Sequence, residues 1–336
     1  MFKKYLNQII HGKNLNEAEM YAMIMEIFSG NITDAQIGAF MAALATKGET
    51  FEEVAGAAKA MRSKAYHLDI TGVDVIDTCG TGGDGAKTFN ISTTTAFVVA
   101  GCGLKVAKHG NRSVSSQCGS ADLLEVLGVK IDADPAIAAR AVSETGIGFF
   151  FAPLFHGAMK YVARARKEIG VRSIFNMIGP LTNPANANCQ LIGVYALELT
   201  ELMANALKLL GSKRAFVVHG YDGLDEVTIC APTRISELKD QKIKTYDVFP
   251  NEFFSTSCKP EDIMGGNPKK NAEITLEIFN GKSGPKRDIV ILNASFALVA
   301  GGKAKNILDG IQIAGTSIDN GAALQKLDEL VRFSQQ

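Results

Sequence analysis

From Val73 onward the chain alternates short apolar runs with stretches of small, helix-forming residues, and few folds accept that alternation. Val73 to Ile76, Leu104 to Ala107, Val129 to Ile131, Ile147 to Phe151, Gln190 to Tyr195, Ala215 to Val218, Val227 to Ile229 and Asp288 to Ile291 read as short buried strands. Thr93 to Ala100 and Pro135 to Ser143 read as helices between them. Apolar runs without polar interruption suit strands covered on both faces, and strands separated by helices give a largely parallel sheet. Ligands of such sheets bind outside the carboxyl ends of the strands.

The first 66 residues read as helices only. Asn16 with Glu19, Thr33 with Gln36 and Thr50 with Glu53 each place a short polar residue three positions before Glu or Gln, the capping-box pattern of a helix start. Gly30 and Gly48 stand where the first two of these helices should end. Met20, Met23, Ile24 and Ile27 form an apolar face, and a helical unit this small needs a partner surface to cover it. The expected architecture is therefore α/β: a small all-helical domain over 1–66 and a large domain over 72–336 with a mostly parallel central sheet. Residues 232 to 287 are less regular, with loop signals at Gly265 to Lys270 and at Ser283-Gly284-Pro285.

Charge narrows the partners. Lys plus Arg is 35 and Asp plus Glu is 35, so there is no global attraction to nucleic acid or to an anionic membrane. The N-terminus lacks an apolar signal core, and the longest apolar stretch, Ala96 to Leu104, is broken by Gly101 and Gly103. A soluble, cytoplasmic protein with no membrane or nucleic-acid partner is expected. None of the six cysteines pairs with another at C-x-x-C spacing, so all are expected as reduced thiols packed like small apolar residues.

Two glycine-rich segments carry the chemistry. One is Asp77-Thr78-Cys79-Gly80-Thr81-Gly82-Gly83-Asp84-Gly85, running on through Thr88 to Asn90-Ile91-Ser92-Thr93; the other is Lys108-His109-Gly110-Asn111-Arg112-Ser113-Val114-Ser115-Ser116. Each follows an apolar run and precedes a small-residue helix, where backbone N–H groups and a helix N-terminus hold phosphate. One such loop is an ordinary capped turn. Two, separated by one helix–strand unit, suggest a ligand with phosphate at both ends, and Lys108 and Arg112 add charge. His109, between Lys108 and Gly110, is read as a shape or hydrogen-bonding residue without a proton-transfer role.

His219-Gly220-Tyr221-Asp222-Gly223-Leu224-Asp225-Glu226 follows another apolar run. Carboxylates beside glycines and near a pyrophosphate site suit Mg²⁺, which takes a few carboxylates together with phosphate oxygens and water. Lys160, Arg164 and Arg166 form a basic stretch in which one arginine can pair with a substrate carboxylate while the rest form a solvated face.

Taken together, DTCGTGGDGAKTFNIST, VAKHGNRSVSSQCGSADLLEVLG, RSIFNMIGPLTNP and VVHGYDGLDE resemble the anthranilate phosphoribosyltransferase family of tryptophan biosynthesis, over nearly the whole chain. The resemblance implies a middle segment near 165–185 that returns to the helical domain, and a homodimer formed through that domain. It implies transfer of phosphoribose from 5-phosphoribosyl 1-pyrophosphate to the amino group of anthranilate. A separate anthranilate synthase partner is compatible with it. Gly80, Gly83, Asp84, Thr88, Asn90, Ile91, Ser92, Thr93, Lys108, Asn111, Arg112, Ser113, Ser115, Ser116 and Ser120 would hold the phosphoribosyl donor. Ser92, Asp225 and Glu226 would coordinate magnesium, two ions per monomer. Gly80, Asn111 and Arg166 would contact anthranilate, with Arg166 reading its carboxylate.

Two positions depart from the family pattern: Gly157 and Arg164 each stand where proline is expected. Arg166 is taken as the acceptor's partner and Arg164 as a general positive field. No residue is assigned as general acid or base. Pyrimidine nucleoside phosphorylases share the implied architecture, but the residues before their glycines differ from Asp77-Thr78-Cys79. The common phosphoribosyltransferase fold carries an acidic pair before Thr-Gly, and here Asp77 is followed by Thr78. A non-catalytic nucleic-acid-binding relative calls for a basic surface and eroded loops, and this neutral chain keeps its loops intact.

Overall fold

The computed structural model describes residues 1–66, 74–113, 116–255 and 258–336. Val73, where the first strand was expected to begin, and Ser115 lie outside the described residues.

Helices α1 (Phe2–Ile10), α2 (Glu17–Ile27), α3 (Asp34–Lys47) and α4 (Phe51–Lys64) make up the N-terminal unit. Asn16, Thr33 and Thr50 cap α2, α3 and α4 as capping boxes, each satisfying two backbone donors at a helix start. Glu53 does more than cap. It is buried, and it accepts from the Leu15 N–H and from Lys47 Nζ, each at 2.9 Å. A fully satisfied buried carboxylate thus ties α3 and α4 to the connection before α2.

The chain continues through β1 (Val75–Gly80), α5 (Ile91–Gly101), β2 (Lys105–Gly110), α6 (Ser120–Val126), α7 (Pro135–Glu144) and β3 (Ile147–Phe151). Then come α8 (Ala152–Phe155), α9 (Lys160–Ile169), α10 (Ile174–Met177), β4 (Cys189–Gly193), α11 (Leu199–Leu209) and β5 (Arg214–Gly220). The rest is the hairpin β6 (Thr233–Lys239) and β7 (Lys242–Val248), followed by α12 (Pro268–Phe279), α13 (Pro285–Ala300), α14 (Ile307–Asp319) and α15 (Ala322–Ser334).

These strands form one sheet in the order β3-β2-β1-β4-β5-β6-β7. The first five are parallel and the hairpin is antiparallel. Its turn places Asp240 and Gln241 at positive φ, as a two-residue hairpin turn requires. From β1 the chain builds outward through β2 to β3, then returns to lay β4 on the other side of β1. The strand order therefore reverses between β1 and β4, which makes their carboxyl ends the expected ligand crevice.

Side-chain alternation divides the sheet between cores. Ile76, Val106, Leu191, Phe216, Val218 and Ile235 face the layer of α5, α13, α14 and α15. Ile192, Ala215, Val217 and Leu238 face the opposite way, into a core shared with α11, with α2 to α4 and with Ala158, Val162, Ala165, Phe175 and Leu181. The small helical unit thus covers its apolar face with the returning segment and the sheet. Among the described residues no helix is long and apolar enough to cross a membrane.

Three expected strands are absent. Val129 to Ile131 is a buried turn after α6, and Val227 to Ile229 is a buried loop whose Val227 N–H donates to Asn293 Oδ1 at 2.9 Å. Asp288 to Ile291 lies inside α13, which is buried from Ile289 to Ala300. A helix wrapped by its neighbours is apolar all round, so its pattern mimics a buried strand. The irregular stretch holds β6, β7 and α12. One cysteine expectation is also corrected: Cys230 and Cys258 are joined as a disulfide, their Cα atoms 4.6 Å apart. They come together across the β6–β7 hairpin, which no local spacing encodes.

Candidate active site

Gly80 ends β1 and is paired with Gly193 at the end of β4, at the point where strand order reverses. Asp225, in the loop after β5, fills the notch above them. A Cβ on Gly80 would lie 2.5 Å from Asp225 Oδ2, and one on Gly193 would overlap the Asp225 backbone. Gly82 N–H donates to the same Oδ2 at 2.8 Å. Gly80 is therefore required by a protein carboxylate. Gly82, Gly83 and Gly85 are required by their backbone, with φ of 65°, 79° and 74°.

Glu226 is buried beside Asp225, and its Oε1 accepts the Ser92 N–H at 3.0 Å at the start of α5. Desolvation pushes its carboxyl up to about 8, against the pull of Lys108. Desolvation, and then the charges of Asp84 and Glu226, push Asp225 well above the ordinary carboxylate range. Crowded carboxylates that resist ionising are a donor set short of positive charge. Mg²⁺ takes only a few protein carboxylates and completes its shell with water and phosphate oxygens. Among the described residues there is no cluster of three or more His, Cys, Asp or Glu that would cage a metal alone. Asp222 stands apart, closing its own turn by accepting from Thr228 Oγ1 at 2.6 Å.

Lys108 is buried, and its Nζ donates to the Thr78 carbonyl at 2.5 Å. Asp77 beneath it accepts the His109 N–H at 3.2 Å and Asn183 Nδ2 at 2.8 Å. Asn183 also donates to the Ala107 carbonyl at 2.8 Å, so it fastens β1 to β2 where the lysine leaves the sheet.

The second loop is held from α6. Asp122 Oδ2 accepts the N–H groups of Ser113 and Gly119 at 3.0 and 2.9 Å. Ser120 Oγ accepts the Asn111 N–H at 3.1 Å, and Ser113 and Ser116 pair through their hydroxyls. Arg112 forks onto Glu125 at 2.9 and 3.0 Å and reaches Asp122 at 2.9 Å, so its charge is largely answered within the protein. At the start of α5 Ile91 and Thr93 are buried, and the Ile91 N–H donates to the Phe89 carbonyl at 2.8 Å. Thr88 bridges to Met264. Burial raises the Cys79 thiol well above its ordinary value and Cys118 to about 11, so neither is a ready nucleophile.

Helix α9 carries both arginines of the basic stretch. Arg166 is partly buried, its guanidinium 5.9 Å from the Phe175 ring centre, and desolvation pulls its pKa down. Among the described residues nothing hydrogen-bonds or ion-pairs with its guanidinium. Arg164 is 77% exposed and is paired with Glu168 at 2.9 Å and Asp34 at 3.5 Å. His109 and His156 meet edge to face with Nε2 atoms 3.2 Å apart. Burial, then the neighbouring His156 and Lys108, depress His109, and burial brings His156 down to about 4.

Sequence reasoning did not single out His156, Arg172, Asn183 or Asn271. Arg172 donates to the Gly83 carbonyl and lies 4.3 Å from the Tyr195 ring centre. Tyr195 N–H in turn donates to Thr81 Oγ1 at 3.1 Å, so the first glycine loop is held at two points from beyond β1. Arg172 and Asn183 lie within the RSIFNMIGPLTNP stretch, but nothing in that stretch tells which of its polar residues reach the loop.

Residues 3–65 match the glycosyl transferase family, helical bundle domain, and residues 72–324 match the glycosyl transferase family, a/b domain. The chain is 62% identical over 336 residues to an anthranilate phosphoribosyltransferase of Desulfosudis oleivorans, covering 100% of this chain and 99% of that protein. It is 59% identical over 336 residues to one of Syntrophobacter fumaroxidans, covering 100% of both. Among solved structures it is similar to anthranilate phosphoribosyltransferase from Thermus thermophilus, with TM-score 0.94, 38% identity and coverage of 98% and 99%. It is also similar to the Saccharomyces cerevisiae enzyme in complex with PRPP and Mg, with TM-score 0.90, 28% identity and coverage of 99% and 98%.

Proposed function

The chain belongs to the anthranilate phosphoribosyltransferase family, and from that premise we propose how its crevice divides the reaction among its residues. The enzyme transfers the phosphoribosyl group of 5-phosphoribosyl 1-pyrophosphate to the amino nitrogen of anthranilate, giving N-(5-phosphoribosyl)anthranilate and pyrophosphate in tryptophan biosynthesis. The yeast relative has been solved with PRPP and Mg and with 4-fluoroanthranilate, which supports both substrates and the metal.

The donor lies along the two loops. Gly80, Gly83, Asp84, Thr88 and Asn90 to Thr93 form one wall, and Lys108, Asn111 to Ser113, Ser116 and Ser120 form the other; the family resemblance adds Ser115, which lies outside the described residues. Ser92, Asp225 and Glu226 would hold magnesium, two ions per monomer, which would supply neutralising charge to the departing pyrophosphate. The backbone donors of the loops add stabilisation where negative charge grows. Arg166 takes the anthranilate carboxylate, with Gly80 and Asn111 beside the ring, and holds the amine in line with the ribose carbon. The neutral aromatic amine is nucleophilic already, so positioning suffices and no general base is assigned. Two copies join through the helical unit, on which Ile10 stays exposed.

The observation that carries this reading is the meeting of the glycine loop with Asp225 and Glu226 where strand order reverses. The test follows anthranilate fluorescence with 5-phosphoribosyl 1-pyrophosphate, with and without Mg²⁺; a chain without Trp gives a low background. Magnesium-dependent loss of signal with equimolar pyrophosphate is expected. Folded protein with no loss under any condition overturns the reading and turns the search to nucleoside phosphorolysis.

A further inference from the structure

Asn271, in the first turn of α12, belongs to none of the glycine-rich or acidic motifs, yet it is 1% exposed and stands behind both loops. The Gly266 N–H donates to its Oδ1 at 2.7 Å. A backbone N–H can only donate, so the opposite edge of this amide is Nδ2. Nδ2 donates to Asn90 Oδ1 at 2.9 Å. The other edge of Asn90 is then its NH₂, which donates to the Cys118 carbonyl at 3.0 Å. These three bonds run one way, from a backbone N–H to a backbone C=O, and link three separate segments. Neither amide can flip without setting like against like. Nearby contacts press the same surfaces together: Gly265 N–H donates to the Lys87 carbonyl at 3.0 Å, and the Thr94 and Thr275 hydroxyls meet at 3.0 Å.

We propose that Asn271 is a positioning residue for the phosphoribosyl-pyrophosphate pocket, acting through Asn90 to fix the first loop against the second. The proposal rests on the reading of those loops as the donor site. Asn271 touches no substrate. An apolar side chain would fill the same volume, but a directed amide relay also sets the distance and orientation between the loops, which two phosphate-binding walls require.

The test compares wild type with N271A, N271D, N90A and the double variant N90A/N271A, measuring kcat, both KM values and thermal unfolding. N271D keeps the shape. It sets an oxygen against Asn90 Oδ1, or makes Asn90 flip and point its own oxygen at the Cys118 carbonyl. Both N271 variants are expected to raise the KM for 5-phosphoribosyl 1-pyrophosphate by about tenfold, the size of one lost buried hydrogen bond. The anthranilate KM at saturating donor should stay within about twofold. In the N90A background the N271A effect should vanish, because the two act as one unit. A wild-type donor KM in N271D, or N90A and N271A effects that multiply, overturns the proposal alone. A wild type that transfers no phosphoribose overturns the reading of the site and the proposal with it.

Discussion

Asp225 Oδ2 stands 2.5 Å from the place a Cβ on Gly80 would take, so a strand-end glycine and a carboxylate far along the chain share one notch. Gly80→Ala should displace the carboxylate with little other damage, since β1 pairing continues around it. Activity should fall on the order of 100-fold, within the range seen when a single charge-stabilising group leaves a site. Half-saturation by Mg²⁺ should move upward. A magnesium titration of the variant checks this, and an unchanged titration curve would show that Asp225 does not face the ion.

Arg166 and Arg164 sit on one helix in opposite circumstances, one partly buried over Phe175 and the other exposed and paired with Glu168 and Asp34. Arg166→Ala should raise the anthranilate KM by more than about tenfold, with little change in the donor KM, because a desolvated bidentate partner is lost. Arg164→Ala should change either constant by less than about twofold, as for other surface pairs. The reverse order would reassign the acceptor's partner.

Arg172 joins the Gly83 carbonyl to the Tyr195 ring. Removing it as alanine should loosen the first glycine loop and raise the donor KM several-fold, about 1 kcal/mol for one solvent-exposed hydrogen bond. Arg172→Lys should recover only part, since an ammonium lacks the planar face that stacks on the tyrosine. Steady-state kinetics in varied donor would decide, and full recovery by lysine would remove the ring from the account.

The buried His109–His156 pair predicts acid sensitivity. His156 titrates at about 4 in the fold against 6.5 when exposed, so the unfolded chain binds the extra proton between those values. Stability from this residue is complete above the unfolded value and is lost as pH falls toward the folded one. The loss is about 3 kcal/mol. Urea unfolding of wild type and His156→Phe across that range should show a steeper acid loss in wild type. Parallel curves would mean that the pair does not titrate with unfolding.

Where the sequence carried a local cause, it could be read. The capping boxes at Asn16, Thr33 and Thr50 form as expected, because both partners of each box lie within one helical turn. The strand at Ile147–Phe151 forms over the expected residues, an apolar run bounded by turn signals. Where the cause was tertiary, the reading failed: Asp288 to Ile291 looks like a strand in isolation and becomes helix because α13 is enclosed on every side. The partners of Arg112 were equally hidden, since Asp122 and Glu125 answer it from the next helix.

The order of the residues alone thus determined the α/β class, the capped helical beginning and the glycine-rich loops that carry the family's chemistry. Those properties depend on neighbours a few positions away. Only the tertiary structure decided that Asp225 fills the notch at Gly80, that Asn271 orients Asn90, and that His109 is buried against His156. Each pair is separated by tens to hundreds of residues. Whether two such groups meet depends on strand order and on the packing of whole layers, which no local pattern encodes.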